Sequence, residues 1–253
     1  MDILIFAGQS NMQGSTGEKC ELKPLQNCFE YRFLSESLEP LLSPVGEKIG
    51  ENVFLPSANG NGSLVPYFCR KYCDKKSAVV IHVAKGDTRL SQWLKSTERF
   101  GLLIKKIKAG INRTEKTYKI NNIFFIWLQG ESDALNFTET DEYLSDLIRF
   151  KNDLKREIPL TRFAIIRQGY FCAYAEWIKE PFKEKLAADR AIMRAFDIAV
   201  KTDKDFIMLT KICAKLSTDK RYLNAKAFGP HYNNAGMKII GEKAAKKLLK
   251  IKL

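Results

Sequence analysis

Short unbroken apolar runs alternate along this chain with longer stretches of helical period. Residues 3–7 (Ile-Leu-Ile-Phe-Ala) are followed at once by Gly8, Gln9, Ser10 and Asn11. Residues 78–84 and 123–128 repeat the design and end in Lys85-Gly86-Asp87-Thr88 and Gln129-Gly130-Glu131-Ser132-Asp133. Apolar runs of this length, with no polar alternation, predict strands buried on both faces, as in a parallel sheet. Residues 162–167 and 205–209 predict a fourth and a fifth strand. Helical spacing falls between them. It predicts helices over 63–72 (Leu64, Val65 and Phe68 on one face), 91–109 (Trp93, Leu94, Leu102, Leu103, Ile107), 139–156, and 184–200 (Leu186, Ile192, Met193, Phe196). A last helix starts near Asn233 or Asn234, either of which can cap it. Strand and helix alternating in this way predict an α/β fold, a five-stranded parallel sheet with helices on both faces.

Two stretches break the alternation. Residues 13–62 show no clear period and are punctuated by Pro24, Pro40, Pro44 and Pro56. They read as a long functional loop folded over Ser10. Residues 112–119 read as a polar linker. No internal repeat and no interdomain linker is visible, so residues 1–253 read as one domain.

Composition narrows the class. The chain has 253 residues, 45% of them hydrophobic, enough for a substantial core. No apolar run approaches the roughly 20 residues of a membrane span. The first strand begins at Asp2 with no basic segment or cleavage site before it, which predicts a cytoplasmic protein, or a secreted one whose leader has been removed. The net charge of +13 reads as a lysine-rich solvated surface, or as attraction to an acidic partner such as an anionic glycan. Nucleic acid is not expected, because the basic residues are scattered and no recognised binding module is present. Arg190 reads as a surface ion-pair partner, and Trp93 and Trp127 as core. The six cysteines contain no CxxC, so neither zinc nor any other metal is expected. Cys20 and Cys28, in one loop, can pair in an oxidising setting. Asn59-Gly60-Asn61-Gly62 is not G-x-G-x-x-G, and no cofactor is expected.

The chemistry lies where the strands end. In right-handed βαβ topology, Ser10, Gly86-Asp87-Thr88, Gln129-Gly130-Glu131 and the block beginning at His231 gather at one edge of the sheet. Serine is a weak nucleophile until a base takes its proton, and histidine, with a reference pKa near 6.5, can be that base. The oxyanion formed next needs preorganised donors. The N–H groups of Ser10 and Gly86 and the Gln129 amide are the candidates. Gly8-Gln9-Ser10-Asn11-Met12 is not the G-x-S-x-G elbow of α/β-hydrolases. His82, inside an apolar strand, reads as structural.

Ala7-Gly8-Gln9-Ser10-Asn11-Met12, Gly86-Asp87-Thr88 followed by Trp93, Trp127-Leu128-Gln129-Gly130-Glu131-Ser132-Asp133 and His231-Tyr232-Asn233-Asn234-Ala235-Gly236 together resemble the four blocks of the SGNH-type hydrolases. The resemblance is to their sialate O-acetylesterase-like branch, carbohydrate esterase family six, and it spans the chain. It implies a flavodoxin-like three-layer sandwich and metal-free hydrolysis of acetyl esters on sugars. Two positions depart from the family pattern. Asp87 stands where a second glycine is usual, and Phe228 stands where an aspartate usually precedes the histidine by three residues. Glu131 is then the candidate third member of a Ser10–His231 triad, with Asp133 and Asp219 behind it, or a backbone carbonyl in place of all three. The expectation is a serine esterase that removes O-acetyl groups from a carbohydrate, either sialic acid or an acetylated polysaccharide. A degenerate glycan-binding member and a polysaccharide O-acetyltransferase are the alternatives.

Overall fold

The computed structural model describes every residue except 21, 22, 228 and 253, and every other side chain except that of Asn59. Seven strands, β1 (Asp2–Gly8), β2 (Cys28–Arg32), β3 (Ser37–Pro40), β4 (Ala78–Ala84), β5 (Asn122–Leu128), β6 (Arg162–Ile166) and β7 (Phe206–Thr210), form one sheet in the order β3-β2-β4-β1-β5-β6-β7. All neighbours are parallel except β2 and β3. Without those two, the order is β4-β1-β5-β6-β7, the flavodoxin order. These are the five strands expected from the sequence. The correction is that the sheet has seven, because β2 and β3 come from the stretch read as loop.

The helices are α1 (Ser10–Gln13), α2 (Leu64–Cys73), α3 (Glu98–Glu115), α4 (Glu131–Leu135), α5 (Thr140–Glu157), α6 (Phe182–Thr202), α7 (Cys213–Leu216) and α8 (Asn234–Leu248). Side chains alternate across the sheet, as the period of two requires. Leu4 and Phe6 of β1 join the α2 and α8 side, where Phe68, Met237 and Ile240 lie. Ile3, Ile5 and Ala7 join the α3, α5 and α6 side, with Ile107, Phe150 and Ile192. Trp93 and Trp127 are buried there, edge to face at 5.2 Å. Side-chain caps fix three helix starts, on Ser63, Thr97 and Asn233. Thr97 marks a correction: residues 90–93 are a separate 3-10 turn, and α3 continues through the first half of the expected linker. All six cysteines are free and buried, and Cys28 lies against Cys69 and Cys73 of α2 rather than against Cys20.

One glycine is required where the site begins. Gly8 has φ +144°, and a Cβ there would sit 1.9 Å from the Leu128 carbonyl oxygen. Only a residue without a side chain lets β1 leave the sheet so close to β5.

A buried charge network ties the added edge to the core. Glu30 and Lys106 are fully buried. Glu30 accepts from the Gly46 N–H at 2.7 Å and pairs with Arg32 at 2.8 Å. Lys106 reaches Glu47 at 3.2 Å and donates to the His82 carbonyl at 3.0 Å. Burial and the nearby Lys106 hold the His82 ring neutral, its pKa lowered to about 3, which fits the structural role expected of it. Truncating one member of such a network strands the others. Lys106→Ala is therefore expected to lower stability by about 3 kcal/mol in urea unfolding. A loss below about 1 kcal/mol would mean that water replaces the amine.

Candidate active site

Ser10 is the first residue of α1, directly beyond the end of β1. Its N–H therefore has no helical acceptor and faces the strand ends. His231 approaches from the loop before α8, and its Nε2 lies 2.8 Å from Ser10 Oγ. Both residues are partly exposed. The loop holds the ring by its backbone: the His231 carbonyl accepts from the Asn224 N–H at 2.7 Å, and the His231 N–H donates to the Gly229 carbonyl at 2.8 Å. Phe171 packs edge-on to the imidazole at 5.3 Å. Trp177, exposed, lies 6.3 Å from Phe171.

The other expected residues are placed differently. Glu131 is buried, and its Oε1 accepts from the Asn11 Nδ2 at 2.9 Å, while no hydrogen bond joins it to His231. The Asn11 oxygen in turn faces the Tyr232 N–H at 3.4 Å. Glu131 thus reaches the histidine loop through Asn11 and does not hold the ring. Asp133 accepts from the Leu90 N–H at 3.0 Å and from Gln129, so it caps the 3-10 turn. Asp219 pairs with Arg221 on the surface. Phe228, where the family pattern has aspartate, lies outside the described residues.

Gln129 is fully buried, and its amide is committed within the protein. The NH2 donates to the Thr88 carbonyl at 2.7 Å and also to Asp133 and Gln9, while its oxygen accepts from the Tyr143 hydroxyl at 2.8 Å. This corrects its expected place among the oxyanion donors. The Gly86 N–H donates to the Gln13 side-chain oxygen at 2.8 Å, with its backbone against Ser10. Asp87, in place of a second glycine, adopts φ +57°, a left-handed conformation that aspartate tolerates better than most residues, and its side chain is exposed rather than narrowing the pocket. Arg190 makes no ion pair with any described residue, against expectation.

Several supporting residues escaped sequence reasoning. Gln9 accepts from Gln129 and from the N–H groups of Gly130 and Ser132, which caps α4. Asp189 accepts from the N–H groups of Phe171, Cys172 and Ala173 at 2.8–3.1 Å, fixing the loop that carries Phe171. Gln9 and Asn11 flank the serine in its block, a signal that was present. Asp189, a charged residue in the middle of a helix, gave none. Among the described residues, no group of three or more His, Cys, Asp or Glu side chains is arranged to hold a metal ion. No helix among them is long and apolar enough to cross a membrane.

The sheet order and the position of these residues at its carboxyl edge define an SGNH-type hydrolase fold. The sequence model of the carbohydrate esterase, sialic acid-specific acetylesterase family matches residues 1–250, and the chain belongs to that family. It is by that membership a carboxylic ester hydrolase of the carbohydrate O-acetylesterase class. Solved structures share the fold at low identity. A protein from Arabidopsis thaliana is 14% identical, with 99% of each chain covered and a TM-score of 0.66. NanS is 15% identical, with 98% of this chain and 96% of its own covered and a TM-score of 0.64. A catalytic mutant of Axe2, an acetylxylan esterase from Geobacillus stearothermophilus, is 12% identical, with 99% and 95% covered and a TM-score of 0.53. A search of curated protein sequences finds no match.

Two expected outcomes follow from the placement of Gln129 and Glu131. Gln129→Ala would leave the Tyr143 hydroxyl, the Asp133 carboxylate and the Thr88 carbonyl buried without their partner. It should cost about 3 kcal/mol in chemical unfolding. A variant with full stability and only a reduced kcat would restore Gln129 to the oxyanion.

Glu131 is raised to about 7, first by burial, with the Asn11 hydrogen bond opposing, from an ordinary value of 4.5. Between these values the folded protein holds a proton that the unfolded chain has released, so this contribution falls as pH rises from about 4.5 to about 7. His82 works in the opposite direction at lower pH and cancels when variants are compared. Glu131→Gln should therefore lose about 2 kcal/mol less stability than the parent between pH 5 and pH 8. Equal losses in the two proteins would mean that Glu131 is ionised in the fold.

Proposed function

We propose that the protein is a serine O-acetylesterase acting on a carbohydrate, with Ser10 as nucleophile and His231 as base. The observation that carries this is the 2.8 Å approach of His231 Nε2 to Ser10 Oγ at the carboxyl edge of the sheet. His231 takes the hydroxyl proton as Oγ attacks the acetyl carbonyl. The tetrahedral oxyanion forms against the Ser10 N–H and the Gly86 N–H, the latter once the Gln13 oxygen yields it. The imidazolium returns its proton to the departing sugar oxygen, leaving acetyl-Ser10. Water, activated by the same ring, then releases acetate.

Gln129 and Glu131, both buried, act as positioning residues. The exposed ring of Trp177, set against the buried Phe171, offers a face on which a sugar ring can lie. The family's description, sialic acid-specific acetylesterase, and the structural neighbour Axe2, an acetylxylan esterase, fit a substrate that is sialic acid or an acetylated polysaccharide. Six free, buried thiols fit a reducing, cytoplasmic setting, and residues 1–253 act as one domain. A silent glycan binder has no use for the Ser10–His231 contact, whereas an acetyltransferase would form the same acetyl-Ser10 and differ only in passing the acetyl group to a sugar hydroxyl instead of water.

The test is covalent labelling. An active-site phosphonate should add one label, on the peptide carrying Ser10, and Ser10→Ala should lower kcat on 4-nitrophenyl acetate by about 10⁴ or more. A label on another serine, or full activity in Ser10→Ala, would refute the proposal.

A further inference from the structure

Away from the Ser10–His231 pair, a cleft of about 390 Å³ opens between α6 and the chain leaving β6. Arg167, Tyr170, Arg190, Arg194, Asp197 and Lys201 line it. Arg190, Arg194 and Lys201 are exposed on one face of α6 and make no hydrogen bond or ion pair with any described residue. Asp197, the one acid on the wall, is already shared between Arg167 at 2.7 Å and Lys211 at 2.8 Å. The Arg167 Nε is buried with no acceptor. Four cationic side chains therefore line the cleft beside a single carboxylate, which is already paired with Arg167 and, from outside the lining, with Lys211. Like charges one helical turn apart, as in Arg190 and Arg194, destabilise a helix. A bound anion would remove the repulsion among the exposed cations.

The cleft is close to the chemistry. Tyr170 lines it, and the next residue, Phe171, packs on His231. It also has length. At 1.5 Å per residue, Arg190 to Lys201 covers about 16 Å along α6. A single small anion would reach one end only, whereas an extended chain with repeated carboxylates would meet Arg190, Arg194 and Lys201 together.

We propose that this cleft binds the anionic groups of an acidic glycan chain, and holds the stretch flanking the acetylated sugar beside Ser10. This rests on the esterase reading for its purpose, though not for its binding. A single-stranded nucleic acid is less well matched, because one ring, Tyr170, offers no platform for successive bases. Arginine suits the role, since its planar fork binds carboxylates in pairs.

The test uses the intact protein and chains that carry no acetyl group, so binding is separated from turnover. By calorimetry, an oligogalacturonate should bind and a neutral xylo-oligosaccharide of equal length should bind far more weakly. Arg190→Gln with Arg194→Gln should weaken oligogalacturonate about tenfold or more, Lys201→Gln alone less, and added salt should weaken the parent's binding. In kinetics, the ratio of kcat/KM on O-acetylated polygalacturonate to that on 4-nitrophenyl acetate should fall about tenfold or more in the double variant. Unchanged affinity in a folded double variant would overturn the proposal. So would inorganic phosphate saturating the cleft as tightly as the oligomer, which would make it a site for a free anion. A polynucleotide that binds more tightly than the oligomer through the same arginines would overturn it in favour of nucleic acid. Failure to hydrolyse 4-nitrophenyl acetate, with arginine-dependent oligogalacturonate binding intact, would sink the esterase reading and leave the cleft standing.

Discussion

A single buried amide, Gln129, joins the ends of three adjacent strands. At the carboxyl edge of a parallel sheet the ladder stops, and the backbone groups beyond it must find partners elsewhere or remain buried and unpaired. Here side chains take that role. Gln129 follows β5, reaches Gln9 beyond β1 and the Thr88 carbonyl beyond β4, and is fixed from behind by Tyr143 of α5 and Asp133 of α4. Gln9 then satisfies two N–H groups at the start of α4. Every donor of the Gln129 amide faces an acceptor, so the network has one low-energy arrangement. Partial satisfaction at such depth would cost more than an apolar core of the same volume. The serine stands on this platform, one residue from Gln9.

A second layer rests on the first and carries the histidine. Asn11 spans from the Glu131 carboxyl to the Tyr232 N–H, which joins the loop after β1 to the loop before α8. These segments are 221 residues apart in sequence. The contact that sets Ser10 against His231 therefore closes nearly the whole chain, at an entropic cost that grows only with the logarithm of its length. Burial also sets the charge of this layer. Asp133 and Asp189 are each raised to about 6 by burial, with hydrogen bonds from Gln129 and Leu90 opposing in the first and from three backbone N–H groups in the second. At about 6, Asp133 and Asp189 remain mostly ionised at neutral pH, each held by its hydrogen-bond donors, so of these buried acids only Glu131, at about 7, carries a substantial neutral fraction.

The central strands were legible because each is apolar without interruption, which in a chain of this length fits only a strand covered on both sides. β2 was not legible, since Glu30 and Arg32 interrupt it and reverse the hydrophobic rule. Those charges make sense only with Lys106 and Glu47, which come from other parts of the chain. The start of α3 was misplaced for a local reason: Leu90, Trp93 and Leu94 keep an apolar rhythm through a 3-10 turn, and only the Thr97 cap marks where the helix begins. In the site, topology put the right blocks on one edge but could not say which atom faces which. Glu131 shows the difference. Its block sits beside His231, yet its carboxyl points to Asn11, because a choice among neighbours a few ångströms apart is made by side-chain packing.

Asp87 connects the fold's economy to its tolerance. The position needs a left-handed backbone, which explains why a glycine is usual there in the family pattern. Aspartate can adopt that conformation at modest cost, and here its side chain leaves the site for solvent. The backbone path of the second block is thus kept while its chemistry changes, and an added carboxylate stands exposed near the strand ends. On a chain with net charge +13 that acid is in the minority, and the face of α6 across the same edge is strongly basic. The added acid and the basic face lie on different elements, Asp87 on the chain just beyond β4 and Arg190, Arg194 and Lys201 along α6.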